Sequence, residues 1–124
     1  MDVTFVNVKL TAFTTNNYKK LRNFKVAFAH TYSFFVFNHS YNNRAVVRLL
    51  VSPDGTVFLP DGLEIDVPPR SLITLVPNYF SKYATVGYKS KSADHPAKLT
   101  VWFQMTRPPA WKCRSVGNLP YYGA

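Results

Sequence analysis

The chain has 124 residues, 47% hydrophobic and 16% aromatic, with a formal net charge of +9. That length suits one domain able to bury its own core, and so much apolar surface excludes a disordered chain. Ten Phe, eight Tyr and two Trp, set against a single glutamate, Glu64, favour strands over helices.

From Val3 to Phe13 the hydrophobic period is two. Val6, Val8, Leu10 and Ala12 share one face, and Asn7, Lys9 and Thr11 share the other, which is the pattern of a half-buried strand. The polar, basic stretch Thr14–Asn23 reads as a loop with room for one helical turn. Phe24–Phe37 predicts one long strand or two short ones, apolar on both faces beyond His30, as in a strand covered on both sides. The Asn- and Ser-rich turn at 38–43 is followed by Arg44–Val51, expected to return as a hairpin partner with Ala45, Val47, Leu49 and Val51 inward.

Two copies of one turn signal come next, Pro53-Asp54-Gly55 and Pro60-Asp61-Gly62, bracketing a short strand at Thr56–Leu59. Further strands are expected at Leu63–Val67, Ser71–Val76, Phe80–Lys89 and Lys98–Thr106. The fold class that follows is all-β: a single antiparallel β-sandwich of about eight strands, jelly-roll-like. Its expected core comprises Val8, Leu10, Phe28, Val36, Val47, Leu49, Ile65, Leu75, Val101 and Phe103. Residues 1–106 form the sandwich domain, and 107–124 form an irregular C-terminal arm belonging to it. The arm's prolines forbid a strand, while Arg107, Trp111, Tyr121 and Tyr122 are its candidate assembly contacts.

The charge is polarised. Asp54, Asp61, Glu64 and Asp66 fall in a stretch without Lys or Arg, so the basic residues share the rest of the chain with Asp2 and Asp94 alone. Basic residues interleaved with aromatics suit an anionic partner, because bases stack on rings and phosphates meet cations. Lys19, Lys20, Arg22, Lys25, Lys89 and Lys91 are the candidate anionic-partner residues. Trp102, on the outward side of its strand, could offer a stacking platform to a sugar.

Enzyme chemistry is not expected. Asp54 and Asp61 are explained by their turns, and the four clustered acids match no Ca²⁺ loop. His30, His39 and His95 lie in separate segments without ligand spacing, and no glycine-rich phosphate loop occurs. Cys113 is the only cysteine, so an intrachain disulfide is excluded, and neither cofactor nor metal is expected. The start, Met1-Asp2-Val3-Thr4, does not read as a signal peptide, and no apolar stretch has the length of a membrane helix. The expected partners are therefore further copies or other structural chains, with nucleic acid as the second option; neither a membrane nor a small-molecule substrate is expected.

The segment Asp66–Leu75, with its Pro68-Pro69-Arg70-Ser71 corner, resembles strand–turn–strand units of many sandwich domains. With the strand count, the low Glu content and the abundant Asn and Tyr, the chain resembles small jelly-roll capsid or decoration proteins of viruses. The resemblance implies a virion structural subunit working through protein–protein contacts; outside a virion, the lack of a signal peptide and of a membrane-length apolar stretch leads to the expectation of a cytoplasmic protein. A nucleic-acid-binding β-domain and a carbohydrate-binding module are the competing readings.

Overall fold

The computed structural model describes residues 4–108. Trp111, Tyr121 and Tyr122, expected as assembly contacts, lie outside the described residues. Ten strands occur among those described: β1 (Thr4–Phe13), β2 (Lys19–Lys20), β3 (Phe24–Lys25), β4 (Thr31–Asn38), β5 (Ala45–Ser52), β6 (Leu59–Pro60), β7 (Ile65–Val67), β8 (Leu72–Leu75), β9 (Tyr83–Ser90) and β10 (Lys98–Arg107). They build a four-stranded sheet of order β1-β10-β4-β8 and a six-stranded sheet in which β2 and β3 both pair with β9, while β6 and β7 both pair with β5. Merging those two pairs leaves eight positions. In chain order they run 1-8-3-6 in one sheet and 2-7-4-5 in the other, the winding of a jelly roll. Every pairing is antiparallel. The expected fold class is the observed one.

The core lies between the sheets. Phe34, Val36, Leu99, Val101 and Phe103 from one sheet meet Val47, Leu49, Val86 and Phe24 from the other. Phe24 stacks on Phe103 at 4.5 Å between ring centroids and meets Phe34 edge-on at 5.6 Å; such pairs contribute about 0.5–1.5 kcal/mol beyond their burial. Of the expected core, Val36, Val47, Leu49, Leu75, Val101 and Phe103 are buried, while Val8, Leu10 and Ile65 are half-buried against it.

Five expectations are corrected. Phe28 is 47% exposed, because the chain turns at 27–28 to leave β3 in one sheet and enter β4 in the other. Arg44–Val51 is no hairpin partner of Phe24–Phe37: β5 pairs with β9, β6 and β7, and residues 38–44 cross between the sheets. Asn38, fully buried, anchors that crossing by donating from Nδ2 to Asn43 O (2.8 Å) and Val67 O (3.1 Å). Thr14–Asn23 holds no helical turn but follows the edge of β9, where Leu21 N donates to Val86 O and Thr85 Oγ1 donates to Leu21 O and Arg22 O. Between Thr56 and Leu59 only Leu59 is in a strand, since Asp54 Oδ1 accepts from Thr56 N (2.8 Å) and Val57 N (3.0 Å), the donors a ladder would use. Arg107, assigned to the arm, is the last residue of β10 and pairs with Thr4.

Candidate functional site

Two surfaces concentrate the chemistry, one on the outer face of each sheet. On the six-stranded sheet, a groove of about 340 Å³ is lined by Tyr18, Lys19, Lys20, Arg48, Leu50, Pro60 and Gly87. Its floor is apolar because Leu50 of β5 and Gly87 of β9 point outward beside each other. A Cβ at position 87 would lie 3.3 Å from Leu50 Cδ1 and 3.6 Å from Tyr18 Cδ1, so glycine lets these side chains close over the strand. The pairing of β2 with Tyr88 and Gly87 brings Lys19 and Lys20 to one rim.

Lys20 Nζ lies 4.8 Å from the Phe58 ring centre and donates to Asn23 Oδ1 at 2.8 Å. Lys89 Nζ sits 5.9 Å from the Tyr18 ring. Arg48 donates from Nε and Nη2 to Gly62 O, which holds its guanidinium along the groove. The Tyr18 hydroxyl donates to Glu64. Burial, followed by that bond and the Glu64 charge, pushes the Tyr18 phenol far above its ordinary range, and Arg48 opposes the shift. The groove thus combines cations, one aromatic wall and an apolar floor, a composition that suits a ring carrying negative charge.

The structure gathers Lys19, Lys20 and Lys89 here but not the remaining predicted cations. Arg22 lies over Phe24 at 4.9 Å, and Lys25 over Phe28 at 5.8 Å, beside β3. Lys91 follows β9, where its backbone N–H donates to Arg44 O. Arg48 was missed by sequence reasoning, although it is the one charge in the apolar run Ala45–Val51 and so had to face outward.

The outer face of the four-stranded sheet is aromatic. Strand register sets Lys9, Trp102, Phe35 and Thr74 in one row and Thr11, Thr100, Phe37 and Leu72 in the next. Asn7, Phe35, Leu72, Trp102 and Gln104 line a shallow groove of about 270 Å³. Lys9 Nζ lies 5.9 Å from the Trp102 ring. At one end Arg70 stands over Phe37 (5.2 Å) and Tyr41 (4.8 Å), and the His39 ring bonds to Thr100 Oγ1 at 2.6 Å. Burial, then the charges of Lys98, Arg70 and Lys9, hold the His39 imidazole below its ordinary pKa. Arg70 occupies the corner of the Pro68–Ser71 motif in left-handed backbone, φ 56°, where its N–H donates to Asn38 O. Leu72 (56%), Phe5 and Phe13 (both 62%) leave apolar surface open to solvent along this sheet.

The acids take structural parts. Asp61 is buried and accepts from Asn78 N, Asn78 Nδ2 and Tyr79 N. Asp66 pairs with Arg44 at 2.9 Å, and Asp94 accepts from Asn16 Nδ2. Among the described residues no three His, Cys, Asp or Glu side chains are grouped to hold a metal ion. No described helix is long and apolar enough to cross a membrane.

The family described as "Domain of unknown function (DUF6385)" matches residues 25–107, from β3 to the end of β10. The chain belongs to this family. No curated protein matches the sequence. Among solved structures, the chain is similar to one described under "Bacillus endospore appendages form a novel family of disulfide-linked pili", at 8% identity, covering 85% of this chain and 88% of that one, with a TM-score of 0.56. It is also similar to PirA, at 7% identity, 77% and 92% coverage and a TM-score of 0.58. A third similar structure is the Yersinia pseudotuberculosis-derived mitogen, at 12% identity, 85% and 87% coverage and a TM-score of 0.50. At such identities the likeness is one of fold, and no viral capsid protein is among these three.

Proposed function

We propose that this domain is a structural subunit that acts through protein–protein contacts and catalyses no reaction. The observation that carries the reading is the aromatic outer face of the four-stranded sheet. A sheet face exposed to water normally alternates to polar residues, whereas here Trp102, Phe35, Phe37 and Leu72 adjoin across three strands. Contiguous apolar surface of this kind marks a contact site. The similar structure described as an endospore appendage that forms pili supports the reading in kind. A virion shell is the finer form that the sequence resemblance implies, and a pilus is the form named for the appendage protein.

Sedimentation and electron microscopy of the purified full-length chain test the proposal. Assembly into shells or filaments, weakened by Leu72→Asp or Trp102→Ala, is expected. A chain that stays monomeric at every concentration refutes it. The arm residues Trp111, Tyr121 and Tyr122 are proposed to add contacts, so deleting residues 109–124 should lower the assembled fraction.

The basic groove favours a second reading, binding of single-stranded nucleic acid. Replacing Lys19, Lys20 and Arg48 together by Ser should then weaken binding to an oligonucleotide and flatten its salt dependence. No binding at low salt removes this reading.

A further inference from the structure

Strand β1 is unusual for the edge of a sheet. It spans ten residues. Its register with β10 runs unbroken from Thr4↔Arg107 to Phe13↔Lys98, so no bulge turns it aside. Among the described residues it pairs on one side only. It carries no proline and a single charge, Lys9. Native proteins ordinarily blunt such edges with prolines, bulges or several charges, because the free N–H and C=O groups are a template for another strand.

The inward side chains of β1 are also incompletely covered. Val6, Val8 and Leu10 are half-buried; Val8 and Leu10 lie opposite Phe103 and Val101, which are only 3% and 1% exposed, and Val6 lies opposite Met105, itself half-buried. The sandwich is open along this flank, and a strand added there would extend both the hydrogen-bond ladder and the core.

We propose that the occupant of this edge is β1 of a second copy, paired antiparallel about a two-fold axis at Val8. The proposal rests on the assembly reading above and names its interface. β1 is self-complementary in that register. Residues opposite each other in an antiparallel pair share a face, so inward residues must meet inward residues. Centring on Val8 sets Val8 against its own copy, Val6 against Leu10 and Thr4 against Ala12. On the outer face it sets Asn7 against Lys9 and Phe5 against Thr11. Centring on Lys9 would give an equal overlap but bring two lysines face to face, which is unfavourable. A shift by a single residue would oppose core positions to surface positions. An isologous contact of this type joins the two four-stranded sheets into one continuous sheet.

Asn7 and Lys9 are both exposed, so changing them spares the fold. Asn7→Lys would place a lysine opposite Lys9 at two symmetric positions and is expected to weaken dimerisation roughly tenfold at low ionic strength. Asn7→Lys combined with Lys9→Glu turns both contacts into opposite-charge pairs and should restore it. Sedimentation equilibrium gives the dissociation constants. Hydrogen exchange should show alternate β1 amides gaining protection as the dimer forms. If the wild type assembles and Asn7→Lys does so equally well, β1 is not the interface, and the assembly reading stands without it. If the wild type never self-associates, both fail. A chain lacking residues 109–124 that dimerises where the full chain does not would assign the edge to the chain's own tail and overturn the proposal.

Discussion

Asp61 offers the sharpest stability test. Its carboxylate is 4% exposed and accepts three hydrogen bonds: from Asn78 N (2.9 Å), Asn78 Nδ2 (3.0 Å) and Tyr79 N (3.1 Å). These bonds fasten the loop between β8 and β9 to the turn after β6, and Asp61 N itself donates to Leu49 O. Asp61→Ala deletes the acceptor and strands two backbone donors. A hydrogen bond to a charged group contributes about 1.5–3 kcal/mol, and a stranded buried donor costs about 1–3 kcal/mol. The loop can recover part of this by turning toward water, since Tyr79 and Phe80 already lie 54% and 87% exposed. The net loss is therefore expected near 2–4 kcal/mol. Asp61→Asn keeps one acceptor oxygen and should lose about half as much. Urea unfolding followed by tryptophan fluorescence measures both, and exchange of the Asn78 and Tyr79 amides should accelerate in step. A loss below about 0.5 kcal/mol for Asp61→Ala, the range of ordinary surface changes, refutes the clamp.

Phe34→Ala should destabilise by about 3–5 kcal/mol, because Phe34 is fully buried between Phe24, Tyr32 and Phe103; Phe28→Ala, at the exposed turn, should leave the urea midpoint nearly unchanged. Backbone donors from Val57 and Thr56 hold the Asp54 carboxyl below its ordinary pKa. The folded state thus favours the ionised form, so Asp54 stabilises above the ordinary aspartate range and loses this contribution as pH falls through its lowered folded value. The stability gap between wild type and Asp54→Ala, measured at neutral pH and near pH 2, should accordingly narrow in acid. Gly62→Ala should lower stability by about 1 kcal/mol, because Gly62 has φ +91° although the nearest atom to an added Cβ is 3.7 Å away.

What sequence reasoning found and missed follows from which signals are local. The period of two placed β1, β5 and β10 with their correct inward faces, since alternation depends only on the strand itself. The hairpin expected between Phe37 and Ala45 failed because Asn- and Ser-rich segments look alike whether they return a strand to its neighbour or carry it across to the opposite sheet. The two Pro-Asp-Gly turns are nearly identical in sequence, yet Asp54 caps its own turn while Asp61 holds a loop 17 residues away. Only tertiary placement separates them. Phe28 alternates with Val26 and Phe24, and nothing in its composition announces that the chain leaves the sheet there. Lys19 and Lys20 share a rim, with Lys89 beside Tyr18, because β2 lies beside β9, a pairing across nearly seventy residues that composition does not encode.

The distribution of charge gives the two surfaces opposite salt responses. The four-stranded sheet carries Lys9 on β1 and Lys98 and Arg107 at the two ends of β10, and β4 and β8 carry no Lys or Arg. The six-stranded sheet carries Lys19, Lys20, Lys25, Arg48 and Lys89. Subunits that meet through β1 and the aromatic face bring together their less basic sides and leave the basic groove pointing outward. Each copy still carries a net +9, so mutual repulsion opposes assembly at low ionic strength and salt relieves it. Binding of a polyanion in the groove responds the other way, since salt competes with the anion. Raising salt from about 50 to 200 mM spans the range over which phosphate contacts weaken steeply. Over that range the assembled fraction should rise while oligonucleotide binding falls. Assembly that weakens with salt would mean the contact is made by the basic surface instead, and would move the interface from the four-stranded sheet to the six-stranded one.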